Sequence, residues 1–269
     1  MSESASVSPF PPPPPPAITN SCRTFSEKDS VTIAAVRITT NDECSWATDY
    51  PDLQKGCFLS RVCQYTQPKR CQYTIISSIL QIGPTCGLTA LSMLLNGQTT
   101  ATELLADAST QKYTKNGEMF SALYLFELVK KHINSPLECQ FHEGSLDCDK
   151  IKDQLYAGAC LLVPYDADVN HAPCQRSGHR AHWALIVGYL IDDQNEFYVV
   201  ARHGKTRNLA VWSLVALSDS NANLVEFAHP KGHEDLTFLL PPGGIDGDLG
   251  LRKRSIVVTN LPYQMVQVF

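Results

Sequence analysis

The 269-residue chain has no run of 18 or more apolar residues, and that absence excludes a membrane-spanning helix. Its N-terminus has no basic stretch leading into an apolar core, so no secretion signal is read and a cytoplasmic protein is expected. No dense stripe of lysine and arginine occurs, and the net charge is −5, which sets aside nucleic acid and anionic membrane as partners. The short cluster Arg252, Lys253 and Arg254 reads as a solvated loop. There is no internal repeat and no CxxC pair. Ten cysteines are present, but their spacings show no disulfide framework, and in a reducing compartment most are expected as free thiols. Cys57, Cys63 and Cys71 likewise match no usual zinc spacing.

What is there describes a soluble globular chain, 43% hydrophobic and 18% charged, long enough for one substantial core and a tail. Residues 1–20 are Ser-rich and then carry six prolines, Pro11 to Pro16. Such a tract packs as neither helix nor sheet and is expected as a disordered, extended polyproline II arm, either a stiff spacer or a ligand for an aromatic-lined groove. Residues 21–72 read as an N-terminal extension, with an alternating run at 31–38 that suits a strand and with Trp46, Tyr50 and Phe58 to pack on the domain. Residues 73–269 form the main domain.

Within it, residues 73–80 are β-branched and apolar and lead into a helix that begins near Cys86. Helices are expected at 101–110 and from about 119 to 133, the latter with Glu127 and Lys131 as an i,i+4 pair and Pro136 beyond its end. A further short helix suits 149–156. Strands are expected at 137–141, 159–164, 183–190, 197–201, 209–212 and 255–260, with a helical turn at 213–217. Helices first and strands afterwards imply an α+β domain, a helical layer facing an antiparallel sheet.

The stretch QIGPTCGLTALSMLL organises the rest. Gly83 and Pro84 break what precedes them; Leu88, Leu91 and Leu95 then recur at helical spacing, and Asn96-Gly97 is a stop. Cys86 therefore falls in a first helical turn, where free N–H groups and the helix dipole favour a thiolate, the nucleophilic form. Gln81, on the incoming loop, offers a neutral amide to an oxyanion forming beside that sulfur. The bland alternative is a small buried core cysteine.

A thiolate nucleophile needs a base that also protonates the leaving group. His182 heads the strand HWALIVGY, at a sheet edge that a helix N-terminus can face. The same region offers a competing constellation: His171, Cys174, His179 and His182 are four possible zinc ligands, in which case His182 would be a ligand and not a base. A third residue to orient the imidazole is sought near the end of the strand FYVVARHGK. Neither Asn nor Asp stands there; His203 could serve through a neutral ring nitrogen, and Asp192 and Asp193 read as turn formers.

Together the proline-rich arm, LQIGPTCGLTALSMLL, RAHWALIVGYLID and ARHGKTRNLAVWSL resemble the actin maturation proteases. These are papain-like cysteine peptidases related to the bacteriocin-processing peptidases, and the resemblance spans about residues 73–269. It implies removal of the N-acetylated Met or Cys from the N-terminus of immature actin. It matches Cys86 to the nucleophile of the GPTCGL motif, His182 to the histidine of HWAL, and Gln81 to the oxyanion glutamine. It also implies that Pro11 to Pro16 bind profilin and so bring profilin-bound actin to the enzyme. No cofactor or metal is implied. Actin's acidic N-terminus would suit a basic rim, for which Lys205 and Arg207 are candidates, although both equally suit a solvated hairpin tip. Another cysteine hydrolase on the same scaffold and a non-catalytic adaptor remain open.

Overall fold

The computed structural model describes residues 43–229 and 232–269, so the proline arm, Cys22 and the strand expected at 31–38 lie outside the described residues. After a single 3-10 turn, Ser45–Ala47, comes a helix that the sequence did not announce, α1 (Pro51–Ser60). Proline at its first position and Asp52 in its first turn suit a helix start, and Leu53, Gly56 and Cys57 bury one side of it. Trp46 and Tyr50 pack on the core as expected. Phe58 does not; it is half exposed, because it falls on the outer side of α1.

Strand β1 (Arg70–Thr74) is shorter and earlier than the run expected at 73–80, and the boundary at residue 73 falls inside it. Beyond Thr74 the chain leaves the ladder: the carbonyl of Ile76 accepts from the Arg202 guanidinium rather than from a strand. Three helices follow, α2 (Cys86–Leu94), α3 (Ala101–Thr110) and α4 (Ala122–His132). A full capping box, Thr100 with Glu103, starts α3, and the Ser121 hydroxyl caps α4. The expected Glu127–Lys131 pair is replaced by Glu127–Lys130 at 3.1 Å. Asp107 draws Lys131 and His132 to itself and so ties α4 to α3.

Then come β2 (Glu138–Glu143), α5 (Asp149–Tyr156), β3 (Cys160–Asp166), β4 (Ala181–Ile191), β5 (Phe197–Arg202), β6 (Ala210–Ser213), α6 (Leu214–Ala222), β7 (Arg254–Thr259) and β8 (Met265–Gln267). The strand expected to close the chain, β7, is followed by β8, three residues that pair with β1 and are too short to show a period. All eight strands of the described residues join one sheet through antiparallel ladders, in the order β2-β7-β3-β4-β1-β8, with β5 and β6 added beyond β4. Strand β4 is the axis. Its residues 181–186 pair with β3 and 188–191 with β1 along one edge, while β5 takes the other.

The class is α+β, but the sheet is covered on both faces, not one. Leu162, Leu185 and Val200 meet α1 to α4 in one core, whereas Leu161, Val163, Ile186 and Ala201 meet α5 and α6 in another. That is why β3 is buried along its whole length. The nine described cysteines are free, with Cys57 and Cys71 as core side chains. No helix among the described residues is long and apolar enough to cross a membrane.

Candidate active site

Cys86 is the first residue of α2, following Thr85. The preceding loop is fixed locally: the Thr85 hydroxyl donates to the Ile82 carbonyl at 2.8 Å, and the Gln81 N–H donates to the Gly204 carbonyl at 2.8 Å. Gly83 takes φ +66, a left-handed conformation that favours glycine. Across from Cys86, β4 begins, and two of its first residues serve the site. The backbone N–H of Trp183 faces the Cys86 sulfur, as do those of Gly87 and of Cys86 itself. The Trp183 indole is anchored by its N–H to the Met119 carbonyl at 2.8 Å.

His182, 6% exposed, shares with Cys86 a cavity of about 270 Å³. Its Nε2 lies 2.8 Å from the backbone carbonyl of His203. A carbonyl only accepts, so Nε2 carries the proton and Nδ1 keeps its lone pair. The His203 ring, which the sequence offers for the orienting role, makes no such bond: it sits between His171 and Trp212, at centroid distances of 5.6 and 5.7 Å, and its Nδ1 meets no hydrogen-bond partner among the described residues. The hydrogen bond that the His182 ring makes goes to the main chain, which no residue type could have advertised.

Gln81 lines the same cavity. Its Nε2 donates one hydrogen to the Gly83 carbonyl at 2.8 Å and so has a second hydrogen to give. Electrostatics modify the picture of a ready thiolate. Burial pushes the Cys86 thiol up, against the pull of the Trp183 N–H, the Lys205 charge and the other two N–H groups. Burial also pushes His182 down to about 3, opposed by the His203 carbonyl. Both shifts favour an uncharged thiol–imidazole pair; exclusion of water outweighs the helix N-terminus here.

The four possible zinc ligands do not converge, and among the described residues no three His, Cys, Asp or Glu side chains form a metal cage. A carboxylate organises that segment instead. Asp166, fully buried, accepts from the backbone N–H groups of Arg176, Gly178 and Arg180 at 2.7 to 3.1 Å and faces the His179 ring at 3.5 Å. The loop thus held carries His171, His179 and Arg180 to the cavity wall. Lys205 also lines the cavity; Arg207 does not, and its carbonyl accepts from Arg202 instead. The only acid on the wall among the described residues, Glu118, is spent on the N–H groups of Lys115, Asn116 and Leu239. Sequence reasoning missed Arg180, Met119 and Trp183 because each acts through a fold contact, not through a motif.

The arrangement can activate a sulfur, shuttle one proton and donate to an oxyanion. Comparison with known proteins gives it a context. Residues 76–190 match the family model described as "Actin maturation protease-like, C-terminal domain". A Drosophila melanogaster relative named "Actin maturation protease" is 67% identical over 229 residues, 85% of this chain and 86% of the relative. A Xenopus tropicalis protein of the same name is 33% identical, over 65% of this chain and 69% of its own. This chain belongs to the actin maturation protease family. The human actin maturation protease is 27% identical over 68% of this chain. The family-model match contains Gln81, Cys86 and His182 and ends before the His203 turn.

Proposed function

We propose that the chain is a cysteine-type aminopeptidase that removes the N-acetylated Met or Cys from immature actin, with Cys86 as nucleophile, His182 as acid–base and Gln81 as oxyanion donor. The observation that carries this is the shared cavity: a helix-start sulfur faced by three backbone N–H groups, beside an imidazole whose tautomer leaves Nδ1 as the base. Membership of the actin maturation protease family supplies the substrate.

In this reading Nδ1 of His182 takes the Cys86 proton as the sulfur attacks the carbonyl carbon of the acetylated residue. The second N–H of Gln81 and the Cys86 N–H stabilise the oxyanion. The tetrahedral species collapses, the C–N bond breaks, and His182 returns the proton to the departing amine of actin. Water, deprotonated by His182, then attacks the thioester and releases the N-acetyl amino acid and the Cys86 thiol. Each step uses only the chain's own groups and water.

Three features of the cavity support the substrate class. Met119, Phe120, Trp183 and Leu251 on its wall suit an apolar first side chain and an acetyl methyl. With Glu118 already hydrogen-bonded, the wall offers no free carboxylate to pair an α-ammonium among the described residues, which favours a blocked N-terminus. Arg180 and Lys205 make the rim basic toward an acidic leaving peptide. A cytoplasmic enzyme whose Pro11 to Pro16 arm recruits profilin completes the proposal.

The test is mass spectrometry of N-acetylated actin N-terminal peptides, and of actin with and without profilin, after incubation with the wild type and with Cys86→Ala. Loss of one acetylated residue with the wild type alone is expected, faster on profilin-bound actin. Trimming that survives Cys86→Ala, or none with either protein under reducing conditions, rejects the assignment.

A further inference from the structure

We propose that Arg202 is the positioning residue that holds the base and the oxyanion side chain of the Cys86 centre in register, through the turn that follows β5. The inference rests on the assignment of Cys86, His182 and Gln81 above. Two consecutive carbonyls of that turn do the holding: His203 accepts from His182 Nε2 at 2.8 Å, and Gly204 accepts from the Gln81 N–H at 2.8 Å. Gly204 takes φ +68, and a Cβ there would lie 3.3 Å from Thr89 Cγ2 and 3.5 Å from Gln81 Cβ, so the turn sits tight against the loop before α2.

Neither carbonyl can be exact unless the turn is fixed, and the group that fixes it is the guanidinium one residue before. Arg202 is 6% exposed. Its Nη1 donates to the Arg207 carbonyl at 2.6 Å and closes the turn from its far end. Its Nε donates to the Ile76 carbonyl at 3.1 Å, on the segment that leads to Gln81. Its Nη2 pairs with Asp52 of α1 at 2.9 Å. Three hydrogen bonds from one guanidinium therefore tie the turn after β5, the incoming loop and α1 to one point. Burying a guanidinium against a single carboxylate that is itself 61% exposed is a poor source of stability. What the arrangement secures is geometry, and a rigid planar guanidinium reaches three acceptors from three separate nitrogens, whereas an ammonium donates from a single point.

The readout is alkylation of Cys86 by iodoacetamide at pH 7, followed at the peptide level by mass spectrometry, because it needs the base but no substrate. The His203 carbonyl stabilises a protonated His182, so loosening it leaves the sulfur less readily ionised. Arg202→Gln is expected to slow alkylation about tenfold, His182→Ala at least as much, and the double variant no more than His182→Ala alone. Arg202→Lys, which keeps the charge and fills the site, should fall between wild type and Arg202→Gln; it carries the test if Arg202→Gln does not fold. Equal slowing by Arg202→Gln in the wild-type and His182→Ala backgrounds would mean general damage and overturn the proposal. So would a wild-type rate in Arg202→Lys. If His182→Ala itself leaves the rate unchanged, the Cys86–His182 assignment fails instead, which keeps the two failures apart.

Discussion

At the scale of single residues, the sequence could nominate Cys86, His182 and Gln81 because each proposed role uses a side chain, and the three line one cavity. A glycine-proline break before a helical leucine spacing places a cysteine at a helix start. The orienting partner of His182 was not legible, since a main-chain carbonyl is present at every position and marks none. The distinction is measurable. His203→Phe keeps the carbonyl and fills the space between His171 and Trp212. It is therefore expected to hold kcat/KM on an acetylated peptide within about threefold of wild type. Were the ring the orienting group, its removal would cost on the order of a hundredfold, the usual scale of an acid–base contribution. That burial pushes Cys86 and His182 toward their uncharged forms was also out of reach of the sequence, because desolvation depends on the fold.

At the scale of elements, the site depends on how closely α2 approaches β4. Gly87, directly after the nucleophile, makes the approach possible: a Cβ there would lie 3.0 Å and 3.1 Å from Met119 Cβ and Cγ and 3.1 Å from Trp183 Cδ1. Neither neighbour yields readily, for the Trp183 indole is bonded to the Met119 carbonyl. Gly87→Ala should cost about 1–3 kcal/mol by overpacking, read as a lower urea midpoint. Because the Trp183 N–H faces the sulfur, the same change should lower kcat more than tenfold with a smaller change in KM; a variant with wild-type turnover would show that the helix has room to move. Most helices and strands were legible from period and caps. The misses have physical causes. In α1 only Leu53, Gly56 and Cys57 are buried, a stripe too mixed to announce a helix, and β8 borrows its order from β1.

At the scale of the whole molecule, the α+β class followed from the order of elements, but coverage of both sheet faces did not, although the unbroken burial of β3 is its mark. That coverage has a consequence for stability. His182 and His203 are buried neutral, pushed to about 3 and about 4 mainly by desolvation, and His171 is lowered in the same direction. Their ordinary value is near 6.5, so between pH 6.5 and 4 the unfolded chain binds protons that the folded chain refuses. Stability contributed by the neutral rings is whole above pH 6.5 and is lost as the pH falls toward their folded values. Each ring contributes a slope of up to about 1.4 kcal/mol per pH unit within that window. Thermal melts from pH 7.5 down to 4.5 should therefore show a falling midpoint that begins near 6.5. His203→Phe removes one of the groups and should flatten the fall, while leaving the midpoint at pH 7.5 little changed. Parallel curves for the two proteins would mean that the acid sensitivity arises elsewhere and that the His203 ring takes up its proton as easily folded as unfolded.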